Sequence, residues 1–289
     1  MKQSYKILTD TGCDIAPEKL AEWGVGCIDL TFHADGSTHE YTQAEMPTDE
    51  FYRKMRGGTV FRTSAANMED FHLGFEPLLQ QGQDILYLGF SSGLSSTVTT
   101  GAAVAKELQE KYPGRRIEVI DTLCASAGEG LFVFLAVRRR AEGAELTEAA
   151  QYLRGKVPHL CHWFTVDDLV YLKRGGRVKA AAAVLGGMLD IKPVLHVDDE
   201  GHLIPVSKIR GRKKSISQLA DCYSELALDP DYGLYFISHG DCLADAKLLE
   251  HELHRRHSCR AALITDIGPV IGAHSGPGTL ALFFLGVHR

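Results

Sequence analysis

The chain has 289 residues, 45% of them hydrophobic and 24% charged, with a formal net charge of −6. That balance is that of a globular protein long enough for two ordinary domains, and the acidic surplus argues against a nucleic-acid binder. Seven scattered cysteines form no Cys-x-x-Cys pair and the opening MKQSYKILTDTG has no apolar leader core, so reduced thiols and a cytoplasmic protein are expected.

Three short apolar runs in the first half, KILTD (6–10), DILYLGF (84–90) and RIEVID (116–121), predict buried parallel strands. Between and after them, VTTGAAVAKELQEKY (98–112) predicts an amphipathic helix stopped by Pro113-Gly114. AGEGLFVFLAVRRRAEG (127–143) predicts a second, with three arginines in its last turn. Such alternation implies a doubly wound parallel α/β sheet, whose ligands sit at the carboxyl ends of the strands. GAELTEAAQYLRGKVPHL (143–160) reads as a connecting helix, dividing an N-terminal α/β domain (1–155) from a C-terminal mixed-sheet α/β domain (156–289). The second half predicts a hairpin over 194–209 turning at Asp199-Glu200-Gly201, then a helix (214–228), a strand (234–241), a helix (243–256) and strands over 261–268 and 279–286. The stretch 261–288 has Asp266 as its one Asp, Glu, Lys or Arg. Pro269, Pro277 and five glycines interrupt it, which predicts two strands around a loop rather than a membrane span.

The stretch GFSSGLSSTVTTG (89–101) follows a strand and opens a helix, so backbone amides and the helix dipole favour an anion there. It has neither the Gly-Lys-Ser/Thr ending of a phosphate loop nor the Gly-x-Gly-x-x-Gly spacing of a dinucleotide site. Hydroxyls without a cation suit a small anion such as a carboxylate; helix capping is the other reading. Thr63-Ser64, in FRTSAANMEDF (61–71), is a second hydroxyl pair, and hydroxyls in that position ordinarily cap the following helix, for which Asn67 and Glu69-Asp70 are candidate caps as well. His274, in a Gly-Pro-Gly loop between apolar strands, can donate to a carboxylate near neutral pH or serve structure alone. Asp10 and Asp121 each end a strand and could pair on a metal or cap turns. His251, His254 and His257 share a helix face at weak metal spacing, and a solvated surface is the reading favoured there. Two basic clusters, KRGGRVK (173–179) and KIRGRKK (208–214), flank a small-residue apolar segment with Gly186-Gly187 inside that could admit a slender ligand. The sequence shows no Gly-x-Ser-x-Gly elbow or cysteine–histidine signature, and so no nucleophile.

Taken in order, TDTGCDI, the Thr63-Ser64 pair, FSSGLSST, IDTLCASAGEG, LKRGGRVK and the final His-Ser-Gly-Pro-Gly-Thr resemble the DegV family over essentially the whole chain. The resemblance implies a two-domain α/β protein holding one long-chain (C14–C18) fatty acid in an apolar tunnel at or near the domain interface. It further implies a binding subunit with no cofactor and no catalysis of its own. Such a subunit presents the carboxylate to a separate ATP-dependent fatty acid kinase for acyl-phosphate formation. By motif position, Thr63, Ser64 and Ser95 would hold the carboxylate with His274, and Arg174 and Arg177 would face the kinase. The chain departs from the family pattern at Ala65-Ala66, where Gln-Pro is usual, and at Ser96, where glycine is usual. The runner-up function is a free-standing phosphoryl- or acyl-transfer enzyme with a metal at Asp10 and Asp121.

Overall fold

A computed structural model describes residues 5–178 and 190–289. Lys179 and the segment with Gly186-Gly187 lie outside the described residues. The first sheet has four parallel strands in the order β2-β1-β5-β6, from β1 (Tyr5–Asp10), β2 (Val25–Ile28), β5 (Asp84–Gly89) and β6 (Ile117–Asp121). Its inner strand β5 is buried at every position, as a parallel strand covered on both faces must be. A small antiparallel ribbon pairs β3 (Thr31–Ala34) with β4 (Phe61–Ser64). The second sheet is mixed, in the order β11-β10-β12-β7-β8-β9. These strands are β7 (Leu160–Thr165), β8 (Ile191–Val197), β9 (Leu203–Arg210), β10 (Leu234–His239), β11 (Arg260–Asp266) and β12 (Leu280–Leu285). Only β10 and β11 run parallel among its neighbours; β8 and β9 form the expected hairpin.

Helices close the layers: α1 (Pro17–Glu22), α2 (Thr48–Arg56), α3 (Met68–Gln80), α4 (Thr97–Lys111), α5 (Ala127–Ala141), α6 (Leu146–Arg154), α7 (Val170–Arg174), α8 (Arg212–Leu226), α9 (Leu243–Arg256) and α10 (Pro269–Ser275). Helix α5 is buried from Ala127 to Val133 without a break because it lies between the two sheets. It packs against β1 and β5 on one side and against β7, β10 and β12 on the other. Its glycines permit this. A Cβ at Gly128 would strike the Phe283 ring, and one at Gly130 would strike Ile15. One hydrophobic cluster therefore runs from Tyr5, Ile7 and Leu86 through Phe132 to Phe164, Phe236 and Phe283. No helix among the described residues is long and apolar enough to cross a membrane.

Two expectations change. The stretch 261–288 is not two strands around a loop: helix α10 stands between β11 and β12 and carries His274 in its last turn. Pro269 occupies the first turn, where its fixed φ is preorganised and its missing N–H costs nothing, and Gly276 ends the helix at φ 83°. Nor do Thr63 and Ser64 cap α3. They end β4, and Asn67 caps the helix in a reciprocal box with Asp70.

Candidate functional site

Between the carboxyl end of the parallel sheet, the β3–β4 ribbon, α10 and the β7–β12 wall lies a cavity enclosing about 830 Å³ of empty space, its opening included. Leu30, Phe90, Leu94, Phe164, Leu203 and Val270 are among its apolar walls. Thr63, Ser95, Ser96, Arg177 and His274 are among its polar lining, and Thr63 and His274 are bonded to each other. Thr63 Oγ1 lies 2.8 Å from His274 Nε2, a bond spanning 211 residues of sequence. Burial first, and the Arg177 cation second, push the His274 imidazole down to about 4, so it is neutral near pH 7. Its Nδ1 is buried with no partner among the described residues. Gly175 backs onto that nitrogen so closely that a Cβ there would collide with it.

The serine-rich loop is assembled from below. Asp10 Oδ2 accepts from Tyr87 Oη at 2.7 Å and from the Phe90 amide at 3.1 Å, and Oδ1 accepts from Gly12 N. Ser91 Oγ donates to the Gly201 carbonyl in the β8–β9 turn, joining the loop to the second sheet. Thr99 and Thr100 donate back to the Ser96 carbonyl within α4. Most of the hydroxyl cluster is thus structural, and Ser95, bonded to Thr97 Oγ1 at 2.8 Å, is the member beside Leu94 that faces the cavity with Ser96.

The other candidates separate. Ser64 points to the opposite face of β4 from Thr63, as adjacent strand residues do, and its hydroxyl donates to Glu40 at 3.3 Å. Arg177 lines the cavity while remaining exposed: it donates through Nε to the Leu94 carbonyl and through Nη1 to that of Gly175. Arg174 is exposed at the end of α7, 5.7 Å over the Tyr171 ring. Asp10 and Asp121 end strands that β5 separates. Asp10 has its oxygens engaged as above, and Asp121 Oδ1 accepts from the amides of Ser92 and Leu123. Among the described residues no group of three His, Cys, Asp or Glu side chains is placed to hold a metal. Exposed His254 meets Tyr235 Oη at 3.0 Å, and half-buried His257 meets Ser224 Oγ at 2.8 Å.

Helix α10 itself is held by a buried polar network that the sequence did not reveal. Asp14, at φ 53°, accepts from the Gly268 amide at 2.9 Å and from Ser126 Oγ, which also meets Ser238 Oγ at 2.8 Å. Tyr52 Oη donates to the Ile267 carbonyl at 2.9 Å. Burial pushes the Asp14 carboxyl up to about 7 and that of Asp10 up to about 6, against the hydrogen bonds that each accepts. Ser126 is strained, at φ 57° and ψ −148°, and these bonds fix it there.

Comparison with known proteins places this geometry. A DegV domain-containing protein of Clostridium perfringens is 37% identical over 285 residues, covering 98% of each chain. A fatty-acid-binding DegV family protein of Thermus thermophilus superposes with a TM-score of 0.88 at 29% identity, covering 99% of this chain and all of that one. A stearic-acid-binding protein of Eubacterium ventriosum superposes at 0.87 with 25% identity, covering 98% of each. The model of the family described as "Uncharacterised protein, DegV family" matches residues 4–286. The chain belongs to the DegV family.

Proposed function

We propose that this protein binds one long-chain fatty acid, with its carboxylate at Thr63, Ser95 and His274 and its chain along the apolar walls. We propose further that it presents that carboxylate to a separate ATP-dependent kinase for acyl-phosphate formation. The observation that carries the reading is the bond between Thr63 and neutral His274 at the polar corner of an otherwise apolar cavity. The fatty-acid and stearic-acid binding of the two solved relatives supports it.

The chemistry follows from the donors. A carboxylate only accepts, so Thr63 gives its O–H to the ligand. His274 then donates Nε2–H to Thr63 Oγ1, and its buried Nδ1 is the unprotonated nitrogen. Arg177 has two of its five donors committed to carbonyls, and the groups assigned here to the carboxylate, Thr63 and Ser95, are neutral. Such groups orient the head group without a tight ion pair that would compete with later transfer. Chain burial supplies the affinity, about 0.8 kcal/mol per CH₂ and on the order of 10 kcal/mol for a C16 chain before ordering costs. Exposed Arg174 stands on the side from which the kinase approaches.

Native mass spectrometry of the purified protein, with organic extraction, is expected to find a stoichiometric C14–C18 fatty acid. Thr63→Ala combined with Ser95→Ala is expected to weaken fatty acid affinity ten- to a hundredfold, from two lost hydrogen bonds. Unchanged affinity in that double variant would show the head-group assignment to be wrong. Arg174→Ala is expected to slow acyl-phosphate formation by the kinase; an unchanged rate would remove Arg174 from the partner face.

A further inference from the structure

The bonded pair of Thr63 and His274 marks one end of the cavity, and strand register locates the other. Thr279, just before β12, and Ala281 within it both line the cavity, and alternation makes Phe283 the next side chain in that row. On β7, Phe164 and His162 line it, and Leu160 is next in their row. The two strands pair antiparallel, Ala281 with Phe164 and Phe283 with His162. Neither Phe283 nor Leu160 borders the cavity. The start of α5 behaves alike: Ala125 and Ser126 line the space, while Gly128 lies against the Phe283 ring. Three elements therefore leave the cavity at one level, the rung of His162 and Phe283.

That rung is packed solid. The His162 ring, 4% exposed, stands 4.5 Å from the Phe283 ring and 5.5 Å from that of Phe164. Phe283 is fully buried, in one cluster with Leu160, Phe132 and Phe236. It touches α5 so closely that a Cβ on Gly128 would strike it, which leaves the pair no room to retreat. Burial first, then the Arg289 cation and His196, hold the His162 imidazole well below its ordinary pKa, so the ring is neutral. Its Nδ1 is buried beyond a ligand's reach and has no partner among the described residues. What His162 offers the cavity is bulk. Thr279 Oγ1 bonds the Ser275 carbonyl next to His274, so Thr279 stands at the head-group end. Four residues of strand separate it from Phe283, about 13 Å. An extended chain advances roughly 1.2 Å per bond, so that span takes up about eleven bonds of an acyl chain, to which those between the head group and Thr279 add.

We infer that the His162–Phe283 pair is the stop against which the methyl end of the fatty acid rests, so that the bulk of His162 sets the longest chain the cavity accepts. The inference rests on the fatty-acid reading above and names the residue that selects among fatty acids by length.

The test is a binding series of straight-chain saturated fatty acids, C10 to C22, against the delipidated full chain. In the wild-type protein affinity is expected to rise about fourfold per added CH₂ and then to level off or fall beyond one length. His162→Ala removes a ring about three bonds deep and is expected to move that break about two to three carbons longer. His162→Val, whose β-branched side chain suits a strand, is expected to move it about one carbon in the same direction, which guards against a misfolded alanine variant. His162→Phe keeps the bulk without the nitrogens and is expected to leave the break in place. Ala281→Leu fills the rung nearer the head group, about 6.6 Å along the strand, and is expected to move the break shorter by up to about five carbons. Each break is read from ratios within one variant, so a general loss of affinity does not move it. If fatty acids bind and the wild type shows no break, or the break stays in place in both His162→Ala and His162→Val, the inference is overturned and the carrier reading stands. A break that moves as far in His162→Phe as in His162→Ala also overturns it, since bulk would then not be what selects. If no fatty acid binds, both readings fall together.

Discussion

The two ends of helix α10 hold buried titratable groups of opposite kind. At the N-terminal end Asp14 bonds the Gly268 amide, and burial raises its carboxyl to about 7; at the last turn His274 bonds Thr63, and burial lowers its imidazole to about 4. The same desolvation drives both groups toward neutrality, and near pH 7 it gives the cavity a neutral donor instead of a cation. Their effects on stability nevertheless run in opposite senses. The Asp14 contribution is fully present below its unfolded value near 4 and is lost as pH rises toward 7. The His274 contribution is fully present above 6.5 and is lost as pH falls toward 4. Asp10, raised to about 6, acts in the sense of Asp14. Between pH 4 and 7 the helix is thus clamped by groups whose slopes oppose each other.

Breaking either clamp exposes the other. Asp14→Asn, whose amide can accept from Gly268 and donate to Ser126, is expected to remove a falling contribution on the order of 4 kcal/mol across pH 4 to 7. Denaturant titrations of this variant would then rise with pH more steeply than those of the wild type; parallel curves would show that Asp14 is ionised in the folded protein. His274→Gln is expected to remove the opposite slope, about 3 kcal/mol between pH 6.5 and 4, so its stability would fall more steeply as pH rises. A variant curve parallel to the wild type would mean that His274 charges freely in place. Tyr52→Phe deletes the neutral bond to the Ile267 carbonyl and is expected to cost about 1 kcal/mol at every pH, with no change of slope. A slope change there would tie Tyr52 to the titration of Asp14.

How far the sequence reaches depends on the range over which a signal is written. Strands β1, β5 and β6, helices α4, α5 and α9 and the β8–β9 hairpin are local, continuous apolar or amphipathic patterns, and their positions agree with the runs that predict them. Strand β7 escapes because His162 and Trp163 interrupt its apolar run. Helix α10 escapes because seven residues among glycines and prolines resemble a loop. Thr63, Ser95 and His274 are each visible as candidates, yet what joins Thr63 to His274 is a contact across 211 residues that no spacing encodes. Alternation along a strand could have separated Thr63 from Ser64 had β4 been recognised as a strand. The Asp14 network and the unpartnered nitrogen of His162 are properties of packing, and burial alone reveals them.

Helix α5 has a consequence of its own. Because both sheets close on it, with Gly128 against one and Gly130 against the other side, it belongs to neither half of the chain. Removing either sheet would strip half its cover and leave a contiguous greasy surface facing water. The two halves therefore share their fate: the helix acts as a party wall, and neither house stands once the other is pulled down.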